Sequence, residues 1–115
     1  MSIWQQEADH HVWIVGVQGR LAQDQTSDLE NTLLALLAEK NNRLIVDLSQ
    51  TSYINSGGLR TLVTAWRQAR HQEGDLILFG LNQHLREIFD MVGFDKVFQI
   101  VPSQQDALAV WEKKS

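Results

Sequence analysis

The chain has 115 residues, of which 43% are hydrophobic, one is proline and none is cysteine, and its net charge is −4. This composition excludes extended disorder, disulfide bonds, thiol catalysis and thiolate metal sites, and the acidic balance argues against non-specific nucleic-acid binding, which needs a basic surface. No run of about 20 apolar residues and no signal-peptide pattern occurs. We therefore expect one cytoplasmic domain over residues 1–115, monomeric and not inserted in a membrane, with a protein or small-molecule partner.

The first third of the chain predicts a β-hairpin followed by a loop. Residues 3–7 and 12–18 are two extended segments, and the second is crowded with apolar residues, which favours a strand that leads into the core. Residues 19–24 are expected to form a loop.

A helix is predicted after this loop. Ser27 and Glu30 have the spacing of a capping box, in which each side chain bonds the backbone N–H of the other residue. The apolar positions that follow lie on one helical face up to residue 39. These positions are Leu29, Leu33, Leu36 and Leu37.

The middle of the chain carries most of the information about function. Residues 44–46 are an unbroken apolar run that ends in Asp47, which is typical of a strand buried on both faces. A loop is expected next, and from Leu59 onward the apolar residues have the spacing of one helical face. Asn55 or Ser56 is then the capping residue, and the two glycines that follow let the backbone turn tightly. This pattern predicts a small hydroxyl on an exposed turn at a helix N-terminus.

The rest of the chain continues the alternation of strands and helices. Two further strands are predicted, at residues 76–79 and 97–101. Two further helices are predicted, one with Leu85, Ile88, Phe89 and Val92 inward and ended by Gly93, and one that starts at Pro102 with Ala107, Leu108 and Trp111 inward. This order indicates an α/β fold with a mixed central sheet of about four to five strands and about four helices packed against it. Sites in such sheets collect at the carboxyl ends of strands, here in residues 19–24, 47–58 and 80–82.

The segment VDLSQTSYINSGGLRTLV, residues 46–63, resembles the signature of the STAS family, the anti-sigma factor antagonists. That signature is a strand ending in a polar residue, a short loop, and Asp-Ser-Ser-Gly-Leu or Asp-Ser-Thr-Gly-Leu. Gly19-Arg20-Leu21 resembles the family's Gly-x-Leu, and residues 85–94 resemble its Val-x-x-x-Phe-x-x-x-Gly-Leu segment. The resemblance covers the whole chain and implies a STAS-like single domain. It also implies a serine protein kinase that is an anti-sigma factor as the partner, release when the loop serine is phosphorylated, and recovery through a PP2C-type phosphatase.

Three positions depart from the family pattern. Asn55 stands where the family usually has Asp, Gly57 occupies the second hydroxyl position, and Ala22 replaces the Asp that follows Gly-x-Leu. Ser56 is the hydroxyl that remains, so the resemblance assigns phosphorylation to it. The candidate partner-binding residues are Asp47, Ser49, Tyr53, Asn55, Ser56, Gly57, Gly58, Leu59 and Arg60. For Asp47 two roles stay open, a cap of the loop or a neighbour of the phosphate acceptor.

A phosphoserine at this turn has a clear physical effect. It adds about −1.5 to −2 charges, which a helix N-terminus tolerates and which an interface that accommodates a hydroxyl does not. Together with this physical effect, the resemblance implies a phosphorylation-controlled binding module of a partner-switching pathway that regulates transcription. The alternative is a STAS module that cannot be switched, either an adaptor or an accessory subunit of a membrane transport complex.

No enzyme, cofactor or metal site is predicted. Ser56 lacks a Gly-x-Ser-x-Gly frame and an identifiable base. The four histidines have no metal-ligand spacing.

Overall fold

Strands and helices alternate along the chain, of which the computed structural model describes residues 2–114. The strands are β1 (Ile3–Ala8), β2 (Val12–Val17), β3 (Gly19–Leu21), β4 (Arg43–Asp47), β5 (Thr51–Ile54), β6 (Asp75–Phe79) and β7 (Gln99–Val101). The helices are α1 (Asp24–Ala38), α2 (Ser56–His71), α3 (Gln83–Met91) and α4 (Gln104–Lys114).

A five-stranded sheet in the order β1-β2-β4-β6-β7 forms the centre of the described fold. β1 pairs with β2 antiparallel, and the other neighbouring strands are parallel. The register brings Gly16, Asp47 and Phe79 to the same level at the carboxyl ends of β2, β4 and β6. The predicted α/β fold with a mixed central sheet is therefore confirmed.

The two faces of this sheet carry separate hydrophobic cores. Val15, Val46 and Leu78 lie on the face that packs against buried residues of α1, α2 and α3. The alternate positions Ile45 and Ile77 lie on the other face, which α4 covers. Both faces of the inner strands β4 and β6 are thus buried, which explains why the sequences of these strands are apolar without alternation.

The predicted loop at residues 19–24 is wrong in its first half. Gly19–Leu21 forms β3, which pairs in parallel with β5 as a separate two-stranded sheet. The predicted loop after Asp47 likewise contains a strand, Thr51–Ile54. These two segments, of three and four residues, show no strand pattern in the sequence. Each becomes a strand through its pairing with the other.

Helix boundaries also differ from the prediction. α1 begins at Asp24, and its N-cap residue, Gln23, makes no side-chain capping bond. Ser27 therefore lies inside the helix, and the capping box is wrong. At the other end of the chain, Val97 precedes β7 and is 38% exposed, and Val92 follows α3 and is 46% exposed. The sequence analysis assigned Val92 to the third helix and Val97 to the last strand because both residues are apolar. Both assignments are wrong.

Candidate functional site

Asn55 caps α2, and this decides between the two candidate caps. Its side-chain Oδ1 accepts a hydrogen bond from the backbone N–H of Gly58 at 2.9 Å, and its carbonyl accepts from the N–H of Leu59 at 3.0 Å. Ser56 is the first helical residue and is exposed. Within residues 2–114 no hydrogen bond engages the Ser56 hydroxyl. The fold therefore does not use this hydroxyl, and a partner or an enzyme can reach it.

The two glycines of the turn have different roles. Gly58 is buried, and a β-carbon on it would lie 2.8 Å from Cγ1 of Ile54 and 2.9 Å from the carbonyl oxygen of Leu21. Gly57 has more room, since the nearest atom to its β-carbon position is Oδ1 of Asn55 at 3.4 Å. Close packing of α2 against β3 and β5 therefore requires a glycine at position 58 and not at position 57.

The turn is held in place by contacts with three neighbouring elements. The Asn55 N–H donates to the carbonyl of Leu21 on β3 at 3.2 Å. The buried hydroxyl of Thr51 donates to the carbonyl of Val17 on β2 at 2.9 Å. The side-chain amide of Asn82, which caps α3, donates to the carbonyl of Thr51 at 3.3 Å. These bonds position the exposed serine on a well-supported backbone.

Asp47 organises the loop that leads to β5. Its Oδ1 accepts hydrogen bonds from the backbone N–H of Ser49 at 2.8 Å and from the Ser49 hydroxyl at 2.6 Å. Gly80, at a φ of +83°, lies so close to Ser49 that a β-carbon there would be 2.8 Å from the β-carbon of Ser49. The geometry supports the role of Asp47 as a cap of the loop.

The predicted site residues differ in exposure. Ser49, Ser56 and Arg60 are exposed, and Gly58 is buried. The intermediate ones are Asp47, Tyr53, Asn55, Gly57 and Leu59. The backbone brings Tyr53, Asn55 and Ser56 to one end of the sheet, while the apolar side chain of Leu59 packs against the core.

Two residues near the site were missed by the sequence analysis. Arg20 lies over the ring of Tyr53, with its Cζ 4.3 Å from the ring centroid, because the two residues are partners in the β3–β5 register. Thr26 on α1 faces Gly57, and its Oγ1 is buried without a hydrogen-bond partner in the described chain. No sequence signal identifies either residue, since both reach the site through contacts between distant segments.

The two positions at which this chain lacks the carboxylate of the family pattern, Ala22 and Asn55, are close together in the structure. Ala22 directly follows Leu21, and the carbonyl of Leu21 accepts the N–H of Asn55. Both positions lie beside the first turn of α2. A family member with both acids would therefore have two more negative charges at this point than the present chain does.

The surroundings offer no cluster for metal binding. Within residues 2–114 no group of three or more His, Cys, Asp or Glu side chains is suitably placed to hold a metal ion. Nor does any helix in that range have the length and hydropathy needed to cross a membrane.

Comparison with known proteins identifies the family. The family model described as "Mlab, STAS domain" matches residues 4–102. The chain is also 32% identical over 99 residues to BtrV of Bordetella bronchiseptica, whose name places it among the anti-sigma factor antagonists, and the match covers 86% of this chain and 85% of BtrV. The chain belongs to the STAS-domain family, and the resemblance inferred from residues 46–63 is confirmed.

Solved structures share the fold at low sequence identity. An anti-sigma factor antagonist from Mycobacterium paratuberculosis superposes with a TM-score of 0.86 at 24% identity, covering 96% of this chain and 92% of that chain. The Bacillus cell fate determinant SpoIIAA in its phosphorylated form superposes with a TM-score of 0.76 at 13% identity, covering 93% of this chain and 96% of that chain. At these identities the superpositions establish the common fold.

Proposed function

We propose that this protein is a binding module of the anti-sigma factor antagonist type, whose partner is a serine protein kinase that is also an anti-sigma factor. Phosphorylation of Ser56 ends the interaction, and a PP2C-type phosphatase restores it. The observation that carries the proposal is the exposed Ser56 hydroxyl, which is left unused by the fold because Asn55 caps α2. The name of BtrV, which is 32% identical to this chain, supports the antagonist class.

The proposed contact surface surrounds Ser56. In this proposal it includes the predicted partner-binding residues from Asp47 to Arg60 except the buried Gly58 and the core-facing side chain of Leu59. We add Arg20 because it contacts Tyr53. The stacked Arg20 and Tyr53 offer a planar, partly apolar surface with a positive charge, a combination that occurs often in protein interfaces. In this proposal the domain binds and releases a partner, and catalysis belongs to the kinase and the phosphatase.

The switch acts on the partner and leaves the fold intact. A phosphate on the first residue of α2 lies at the positive end of the helix macrodipole, which favours negative charge by about 0.3–1 kcal/mol. In the complex, the same phosphate would replace a neutral hydroxyl against the partner surface. An uncompensated charge there costs several kcal/mol, and every 1.4 kcal/mol corresponds to about a tenfold loss of affinity.

The phosphorylation site can be tested by mass spectrometry after incubation with the cognate kinase and ATP. One phosphate, a mass increase of about 80 Da, is expected on the wild-type protein and on Ser52→Ala. Ser52 is an exposed hydroxyl on β5, which makes it a matched control. The increase should be absent from Ser56→Ala. A phosphate that persists in Ser56→Ala, or that maps to Ser49 or Ser52, would contradict the assignment.

The effect on binding can be tested by titration calorimetry with the kinase partner. Ser56→Ala should bind nearly as well as the wild type, because it adds no charge. Ser56→Asp should bind at least ~10-fold more weakly, because a desolvated carboxylate without a countercharge costs more than ~1.4 kcal/mol. Equal affinities of the two variants would place Ser56 outside the interface.

A second candidate function is a STAS module that cannot be switched, serving as an adaptor or as an accessory subunit of a membrane transport complex. Its supporting observation is the departure from the family pattern at one turn, where carboxylates are missing at Ala22 and Asn55 and a hydroxyl is missing at Gly57. Affinity capture from cell extract distinguishes the two candidates. A soluble ATP-binding kinase that binds wild type and not Ser56→Asp supports the switch. A transporter ATPase that binds both equally supports the second candidate.

A further inference from the structure

The free edge of the central sheet has few of the features that normally protect such edges, and Glu7 is its one charged residue. β1 is the outermost strand, six residues long with the sequence IWQQEA, and it pairs only with β2 in the described sheet. Exposed edge strands usually carry lysine, proline or a β-bulge, which discourage pairing with another chain. β1 has none of these, and its register with β2 is uninterrupted from Ile3 to Ala8. At the opposite edge, β7 has only three residues.

The hydrogen-bond pattern shows which residues of β1 face the free edge. The carbonyl of Ser2 accepts the N–H of Gln18 at 2.7 Å, so this opposed pair is hydrogen-bonded. In an antiparallel ladder such pairs alternate with pairs whose backbone groups point away. The backbone N–H and C=O groups of Ile3, Gln5 and Glu7 therefore point outward, and they are available to another strand.

Clefts flank this edge on both faces of the sheet. On one face a cleft of about 410 Å³ lies between Ile3, Gln5 and the α1 residues Asn31, Thr32 and Ala35. On the other face a cleft of about 550 Å³ lies between β1 and α4, with Gln6, Ala8 and Leu108 in its lining. An added strand could place its alternating side chains in both clefts.

Trp4 lies between Ile3 and Gln5 in β1 and belongs to the lining of the smaller cleft. Its indole covers Gly16 on β2, where a β-carbon would overlap the ring, and yet the residue is 38% exposed. A large aromatic side chain that stays partly exposed next to a free strand edge is a typical contact residue of an interface.

We propose that two copies of this chain associate through antiparallel pairing of β1 with β1. A two-fold axis through Gln5 aligns all three outward residues: of the second copy, Gln5 faces Gln5, Ile3 faces Glu7 and Glu7 faces Ile3. Each of these three opposed pairs exchanges two backbone hydrogen bonds. On the other face, Trp4 lies opposite Gln6 of the second copy, which covers the exposed part of the indole. The two five-stranded sheets then form one continuous sheet.

Charge and symmetry favour a second copy of this chain as the occupant. The register that uses every outward residue also keeps the two Glu7 side chains apart, because each one faces an isoleucine. Like charges directly opposite each other would destabilise the pair. A closed two-fold contact uses the same surface on both copies, as most homodimers do. This pairing differs from the sequence-based prediction of a monomer, and the experiment below decides between the two. It is independent of the function proposed for Ser56.

Charge substitution at the two-fold axis tests the proposal. Sedimentation equilibrium of the wild type from about 10 μM to about 1 mM, the range expected for a small interface, should show a monomer–dimer equilibrium. Gln5→Lys and Gln5→Glu should each weaken it at least ~10-fold, because each places two like charges opposite one another. An equimolar mixture of the two variants should recover the dimer as a heterodimer. Gln68→Lys and Gln68→Glu, at an exposed position on α2, are the matched controls and should dimerise like the wild type.

Circular dichroism and melting temperature verify that each variant is folded before it is compared. A wild type that remains monomeric at about 1 mM would overturn the proposal. So would Gln5 variants that dimerise as strongly as the wild type, or a mixture in which the dimer is not recovered, because β1 would then not lie on the axis.

Discussion

Asn55 and Gly58 shape the first turn of α2 in different ways. Asn55 supplies the oxygen that binds a backbone N–H left free at the helix terminus, and the side-chain bond runs to Gly58. Gly58 contributes by having no side chain, which lets the helix approach Leu21 and Ile54. Neither residue requires Ser56, so the hydroxyl next to them can change its chemistry without disturbing the turn.

Substitutions of Asn55 test the capping role. Asn55→Asp should change the free energy of unfolding by less than ~1 kcal/mol, because Asp and Asn cap about equally well. Asn55→Ala should destabilise the protein by about 0.5–2 kcal/mol, because it removes the acceptor of the Gly58 N–H. Urea unfolding of both variants measures the difference. A large loss in Asn55→Asp would mean that the amide NH₂ group, rather than the oxygen, is the essential part of the side chain.

The two glycines form a matched pair for a second test. Gly57→Ala should be neutral or stabilise the protein by up to ~1 kcal/mol, because alanine is the better helix former and the β-carbon position has space. Gly58→Ala should cost about 1–3 kcal/mol, because its β-carbon would overlap Leu21 and Ile54. Thermal unfolding measures the stability of the two variants. Equal stabilities would show that the first turn can shift to accept a side chain at position 58.

At the scale of elements, the central sheet is covered unequally. Helices α1, α2 and α3 share one face, and α4 covers the other face with the buried residues Ala107 and Trp111. Two cations also lie over the Trp111 ring. The Arg43 guanidinium is 5.7 Å from the ring centroid and the Lys114 ammonium is 5.5 Å from it. Much of the packing on the second face therefore depends on this one aromatic side chain.

Removal of the Trp111 side chain should show this dependence. Trp111→Ala is expected to destabilise the protein by about 3–5 kcal/mol, the usual cost of deleting a buried aromatic residue. Glu112→Ala, at the adjacent exposed position, should change the stability by less than ~0.5 kcal/mol. Chemical denaturation of the two variants measures both values. A loss below ~1 kcal/mol in Trp111→Ala would show that α4 contributes little to the folded state.

At the scale of the whole molecule, the proposed switch separates stability from binding. Ser56 lies at the carboxyl end of the sheet, and the buried cores lie along its two faces. A charge added at Ser56 therefore meets solvent and the helix N-terminus, and it does not enter a core. The domain can exist with and without the phosphate in one fold.

This separation predicts how the phosphorylated protein behaves in solution. Its melting temperature should remain within about 5 °C of the unmodified protein, because a change of stability below ~1 kcal/mol shifts the melting temperature of a domain of this size by no more than that. Its far-ultraviolet circular dichroism should be unchanged, while its affinity for the kinase falls at least ~10-fold. Differential scanning calorimetry on stoichiometrically phosphorylated protein provides the measurement. A drop of more than 10 °C, about 2 kcal/mol, would indicate that the phosphate acts by disrupting the fold.

Local patterns in the sequence determined most of the architecture. The apolar runs at β4 and β6 and the helical spacing in α2 depend on residues close together in the chain, so they predict a mixed sheet, its helices and an exposed serine at a helix start. The motif around Ser56 identified the STAS family for the same reason, since its residues are contiguous. Polar residues such as Ser27 and Glu30 were less reliable predictors of a helix boundary. The same three-residue spacing occurs inside a helix as well as at its N-terminus.

Only the tertiary structure decided which distant residues meet at the turn. β3 and β5 become strands by pairing with each other, and that pairing brings Arg20 onto Tyr53 and Leu21 against Gly58. The Thr51 hydroxyl bonds to Val17, which lies 34 residues earlier in the chain. The free edge of β1 is likewise a property of the strand order. Such contacts depend on how the whole chain packs, and no periodicity within a short segment encodes them.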